Sequence, residues 1–182
     1  MTLDPTLAEA RAKSAYESGR RGLASYVALP LVALGVLAAC LGTRPVYAVA
    51  VGVLLAALAW FCIWRGRIAG RAVLPGVLAG LIPLSLAYAA QSYGHVCSGS
   101  VCYGLCVPAC TTGGVLAGLV IARLGRNVAS PLMFWGTAAL LAGLEGSLGC
   151  SCVGFGGVIG LGVGLVVTFV PAWILARRRA AP

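Results

Sequence analysis

Six long apolar runs constrain this chain more than anything else in it. They cover residues 23–42, 46–64, 72–90, 107–124, 128–148 and 153–175. A helix needs about 20 mainly apolar residues to cross the hydrocarbon of a bilayer. Inside lipid every backbone polar group must be satisfied within the protein, so only helices and closed barrels span it. The runs are continuous rather than alternating, which argues against barrel strands. The sequence therefore predicts an all-α fold, a polytopic membrane helix bundle with six transmembrane helices. Composition agrees: 60% of residues are hydrophobic and 9% charged, against about 45–50% and 25% in an average soluble domain.

The net charge of +9 raises the question of nucleic acid, and the placement of the charges answers it. The basic residues form no face. They fall in short clusters between the runs: Arg11, Lys13, Arg20 and Arg21; Arg65, Arg67 and Arg71; Arg123 and Arg126; Arg177, Arg178 and Arg179. Loops that flank membrane helices look like this, and no nucleic-acid partner is expected. Six spans put both termini on one side. That side holds 12 of the 13 Lys and Arg, leaving Arg44 alone on the other. Lys and Arg are retained in the cytoplasm, so the expected arrangement is N-in and C-in in the cytoplasmic (inner) membrane.

Residues 1–22 read as a short cytoplasmic helix, with Asp4 as N-cap, Pro5 at the first helical position and Ser18-Gly19 as its end. Such a helix lies on anionic headgroups. Alternatively it docks a cytoplasmic protein partner through Leu3, Leu7 and Tyr16. Residues 23–176 form the transmembrane domain, and 177–182 a basic cytoplasmic tail. The string Val-Leu-Ala-Gly-Leu occurs at 77–81 and at 115–119. A wider pattern of Arg-rich loop, span, Cys-bearing loop and Gly-rich span fits residues 65–124 and again 123–179, which is the form of a parallel repeat.

The chain has 26 Gly. Small residues let helix backbones approach closely in lipid, where no hydrophobic force drives helices together. Gly76 and Gly80, Gly114 and Gly118, and Gly156, Gly160 and Gly164 are spaced to line single helix faces. Gly-rich packing is expected there, within the chain or at a homo-oligomer seam. Pro30, Pro83 and Pro171 lie inside spans and should kink them.

Six of the 8 Cys lie in or beside two loops that the charge rule places outside: Cys97, Cys102, Cys106 and Cys110, then Cys150 and Cys152. Disulfides persist on that side, so Cys-rich outer loops stapled into a disulfide-bonded cap are the first reading. Redox-active thiols are a second. The third is a soft-metal site for Zn or Cu made from His95, Cys97, Cys102, Cys106 and Cys110. No resident cofactor is predicted. Glu145, the one acid in any run, sits among Gly143, Gly146 and Gly149 near a run's end. It reads as an interfacial residue that pairs with Arg44 or faces water, the competing role being an ion-pathway acid.

No hydrolytic triad, phosphate loop or carboxylate pair is present, and no catalytic residue is assigned. With so little charge in the spans, the sequence favours a membrane regulator. The cap would respond to redox state or metal, and residues 1–22 would hold a cytoplasmic partner, a layout like that of anti-sigma proteins. The alternatives are a small-solute or soft-metal transporter, a membrane thiol-disulfide oxidoreductase, and an accessory subunit of a larger membrane complex. The topology is tested with a membrane-impermeant maleimide on spheroplasts. The six loop cysteines between residues 97 and 152 should label only after reduction, whereas labelling that needs permeabilised cells would invert the orientation.

Overall fold

The computed structural model describes residues 5–42, 44–92, 106–128, 131–149 and 155–180. Among the described residues the chain is helical, with no strand. The helices are α1 (Pro5–Leu41), α2 (Pro45–Arg65), α3 (Arg67–Ser92), α4 (Cys106–Leu124), α5 (Pro131–Gly149) and α6 (Phe155–Ala180). All six are long and apolar enough to cross a membrane. Their outer faces expose large side chains such as Leu29, Leu54, Leu78, Leu140 and Val166. A band of exposed apolar surface on this scale is what a lipid solvent covers.

Two boundaries differ from expectation. The chain does not end a helix at Ser18-Gly19; α1 runs through to Leu41. Ser18 donates its hydroxyl to the Ala15 carbonyl at 2.9 Å, and Ser25 does the same to Arg21 at 3.0 Å. Each polar side chain is thus satisfied inside the helix. Arg20 donates to the Ile63 carbonyl at 2.8 Å, tying α1 to the end of α2. Pro5 opens α1 as expected, and Asp4 lies outside the described residues. The fifth helix starts at Pro131 rather than 128, because Gly125–Asn127 form a 3-10 turn. Pro30, Pro83 and Pro171 all lie within continuous helices.

The bundle divides into a hairpin and a four-helix core. α1 and α2 run antiparallel and meet where two glycines face each other. A β-carbon on Gly52 would lie 2.7 Å from the Gly35 Cα. In the core, each helix packs most extensively on one that is not its neighbour in sequence: α3 on α5, and α4 on α6. Contacts advance together along both members of each pair. Gly76 faces Ala138 and Leu141, Gly80 faces Ala142 and Glu145, and Gly149 faces Leu84 and Ala87. Likewise Gly114 faces Leu161 and Gly164, and Gly118 faces Thr168. Both pairs are therefore parallel, and the two hairpins interleave. Pro83, fully buried, wedges its ring between Gly113 of α4 and Gly146 of α5.

This register exposes a second sequence echo. Leu-Ala-Gly-Leu occurs at 78–81 in α3 and at 141–144 in α5. The two copies are 63 residues apart, the same offset that separates the touching pair Pro83 and Gly146.

The glycine contacts make a graded prediction. At Gly52 a methyl group meets backbone that cannot move away, and overpacking of this kind costs about 1–3 kcal/mol. At Gly162 a β-carbon meets nothing within 4 Å, so alanine there should be neutral or stabilising by up to about 1 kcal/mol. Gly52→Ala should lower, and Gly162→Ala should keep or raise, the midpoint of reversible unfolding in detergent micelles.

A buried acid in the four-helix core

The most constrained polar group in the protein is Glu145. Its side chain is fully buried, at 0% exposure. Both carboxylate oxygens lack a hydrogen-bond partner among the described residues. Gly80 of α3 makes room for it, since a β-carbon there would lie 2.6 Å from Glu145 Oε2 and 3.0 Å from the Ala142 Cα. Leu141, Leu148 and Pro83 around it are also fully buried.

This corrects the sequence reading of Glu145 as an interfacial residue paired with Arg44 or facing water. Counted along α5, Glu145 is one turn from the helix end, which suggested the membrane edge. The neighbouring helix changes that. Glu145 packs at the level of Gly80, and α3 continues from Gly80 to Ser92, about 18 Å at 1.5 Å per residue. In the other direction α3 reaches back to Arg67, about 20 Å. Glu145 therefore packs level with the middle of α3, although on α5 it lies toward the cysteine-bearing end. Arg44 sits at the start of α2, in the link from α1.

The end of the core nearest Glu145 carries the cysteines. Cys110 of α4 is fully buried and disulfide-bonded. Its level, one turn beyond Gly113, is about 6 Å along the bundle axis from Glu145. Cys40 and Cys62 are free thiols, the first exposed and the second buried at the opposite end. A bonded Cys110 has no thiolate to offer a metal in this form. Cys106 opens α4. His95, Cys97, Cys102, Cys150 and Cys152 lie outside the described residues, as does Leu3. Among the described residues no group of three or more His, Cys, Asp or Glu side chains comes together.

The glycines singled out by spacing fall as follows. Gly76 and Gly80 face α5, and Gly114 and Gly118 face α6. Gly160 and Gly164 face Val107, Thr111 and Gly114 of α4, while Gly156 only grazes Val107 at 4.0 Å. Tyr16 is largely exposed, with the Arg20 guanidinium 5.5 Å from its ring centroid. The hydroxyls within the core are turned inward on their own helices. Ser147 donates to Leu144 at 2.7 Å, and Thr168 to Leu165 at 2.8 Å. Neither serves Glu145.

The chain matches no protein-family model, no curated protein and no solved structure. Function must therefore be argued from these residues.

A buried polar group with no partner costs roughly 1–3 kcal/mol in protein mutational data. Replacing it by an apolar side chain of similar volume loses no hydrogen bond. Glu145→Met should therefore raise the free energy of reversible unfolding by about 1–3 kcal/mol. A destabilised variant would show that the carboxylate has partners in the folded protein.

Proposed function

We propose that the protein is a proton-coupled membrane transporter of a small solute, with Glu145 as the proton-carrying residue. The observation that carries this is the unpartnered carboxylate of Glu145, fully buried in the α3–α6 core at the level of Gly80. Such a group in lipid needs a proton or a cation beside it. Exchange of that companion is the chemistry it can perform. The interleaved parallel hairpins add support, since many transporters are built from repeats with the site near the bilayer midplane between them. The core is tightly closed around Glu145, and access would require α3 and α5 to part at Gly80.

The regulator reading rested on the scarcity of charge in the spans and on the one-sided placement of the cysteines; the burial of Glu145 bears on the first and leaves the second as it was. Docking of a cytoplasmic protein by the N-terminal helix gains no observation of its own.

Several features complete the proposal. Both termini face the cytoplasm, on the charge bias. Close glycine contacts hold the core together, with no second copy of the chain required. The Cys110 disulfide belongs to an outer cap, its partner drawn from Cys97, Cys102, Cys106, Cys150 and Cys152. The cap stiffens the outer mouth.

Only 4 acidic residues are present, so a hydrophobic carbodiimide, which adds to carboxyl groups within membranes, reports on Glu145 cleanly. Dicyclohexylcarbodiimide should modify Glu145 in proteoliposomes while a water-soluble carbodiimide does not. A luminal pH dye should show proton entry under an imposed pH gradient, slowed roughly tenfold or more in Glu145→Gln. Unmodified Glu145 together with an unchanged flux would end the proposal.

A further inference from the structure

At the basic end of the bundle, opposite the cysteines, a cleft of about 670 Å³ opens between α1 and the start of α3. We infer that this cleft, built on Arg20, Arg67 and Arg71, binds the headgroup of an anionic phospholipid from the adjoining leaflet. The inference is independent of the transport reading, because it uses neither Glu145 nor the core.

The chain makes this site by reversing sharply between α2 and α3. Gly66 and Arg67 form the reversal with φ of 65° and 57°. Arg67 is the only non-glycine with positive φ among the described residues. That conformation costs an L-residue roughly 1–2 kcal/mol, and such strain gathers at ligand clamps. Arg71 follows four residues later on the same helix face. Two like charges at that spacing repel each other, and no acidic side chain lines the cleft with them. Arg20 enters from α1. It is held by its 2.8 Å bond to the Ile63 carbonyl and lies over the Tyr16 ring. Three arginines thus line one cleft that holds no acidic side chain. Guanidinium geometry suits phosphate, with paired N–H donors.

The rest of the cleft says what the phosphate is attached to. Leu23 and Leu74 continue its wall and are 60% and 66% exposed. They lie on the outer surface of the bundle, where lipid tails pack. A soluble phosphate ester would leave that apolar wall empty. A phospholipid covers it with its acyl chain while its head meets the arginines. Glu17 lines the adjoining cleft together with Lys13, Arg65 and Arg20, so Arg67 and Arg71 are the arginines that no acidic side chain shares.

The test uses the full-length protein in a neutral detergent, with lipid binding read by native mass spectrometry and by thermal shift. Phosphatidylglycerol should bind and raise the melting temperature, and phosphatidylcholine should do neither. The Arg67→Gln/Arg71→Gln double variant should lose roughly tenfold or more in apparent affinity, at about 1 kcal/mol per basic residue near anionic lipid. Arg123→Gln, at the same end but outside the cleft, should bind as the native protein does. The melting temperature without lipid shows that each variant is folded. Equal binding of phosphatidylcholine, or native affinity in the double variant, overturns the inference. Glycerol phosphate that protects as well as the lipid overturns it too, by assigning the site to a soluble phosphate ester.

Discussion

Hydrocarbon offers no hydrogen bond, and the architecture of this bundle follows from that. Backbone groups close on themselves as helices. The hydroxyls do the same, each returning to a carbonyl one turn back: Ser25 to Arg21, Ser85 to Ile82, Thr111 to Val107, Thr137 to Met133. A hydroxyl satisfied this way asks nothing of a neighbouring helix. Glu145 cannot do so. Its carboxylate is the exception that the surrounding helices enclose without satisfying.

Lipid also withholds the force that presses helices together in water. Association then depends on close van der Waals approach, and small residues permit it. Gly35 against Gly52, Gly76 against Ala138 and Gly114 against Leu161 bring backbones nearly into contact. The same device produces the cavity for the acid, because Gly80 supplies the missing side-chain volume. The α1–α2 hairpin packs against this assembly mainly through Leu31, Leu55, Val73, Leu141 and their neighbours. It adds a wall to the core without entering it.

The spans were legible in the sequence to within a few residues, since hydropathy and helix length are local properties. What escaped was whatever depends on which helix lies beside which. Ser18-Gly19 looks like a stop in isolation, yet Arg20 has a carbonyl on α2 to reach and α1 runs on. Glu145 looked superficial because depth was counted along its own helix. It packs level with Gly80, in the middle of α3, and α3 continues beyond the contact of Gly149 with Ala87. The repeat of loop, span, loop and span over 65–124 and 123–179 covers the two hairpins, whereas the matching strings at 77–81 and 115–119 lie on antiparallel helices of one of them. The informative match, Leu-Ala-Gly-Leu at 78–81 and 141–144, joins equivalent helices of two hairpins. The cysteine loops were legible as a cluster, and their mutual geometry lies beyond the described residues.

The offset of 63 residues between α3 and α5 pairs each residue of one helix with a counterpart in the other. Ala79 corresponds to Ala142, Gly80 to Gly143 and Leu81 to Leu144. The next position breaks the match: Ile82 stands in α3 where Glu145 stands in α5. Two identical hairpins around an axis along the membrane normal would place a pair of acids near that axis. They would share or contest protons there, as coupled carboxylates do. Fusing the hairpins into one chain lets one copy keep an aliphatic side chain while the other carries the charge. The paired helices α3 and α5 thus match in register and differ in chemistry, with a single buried carboxyl between them.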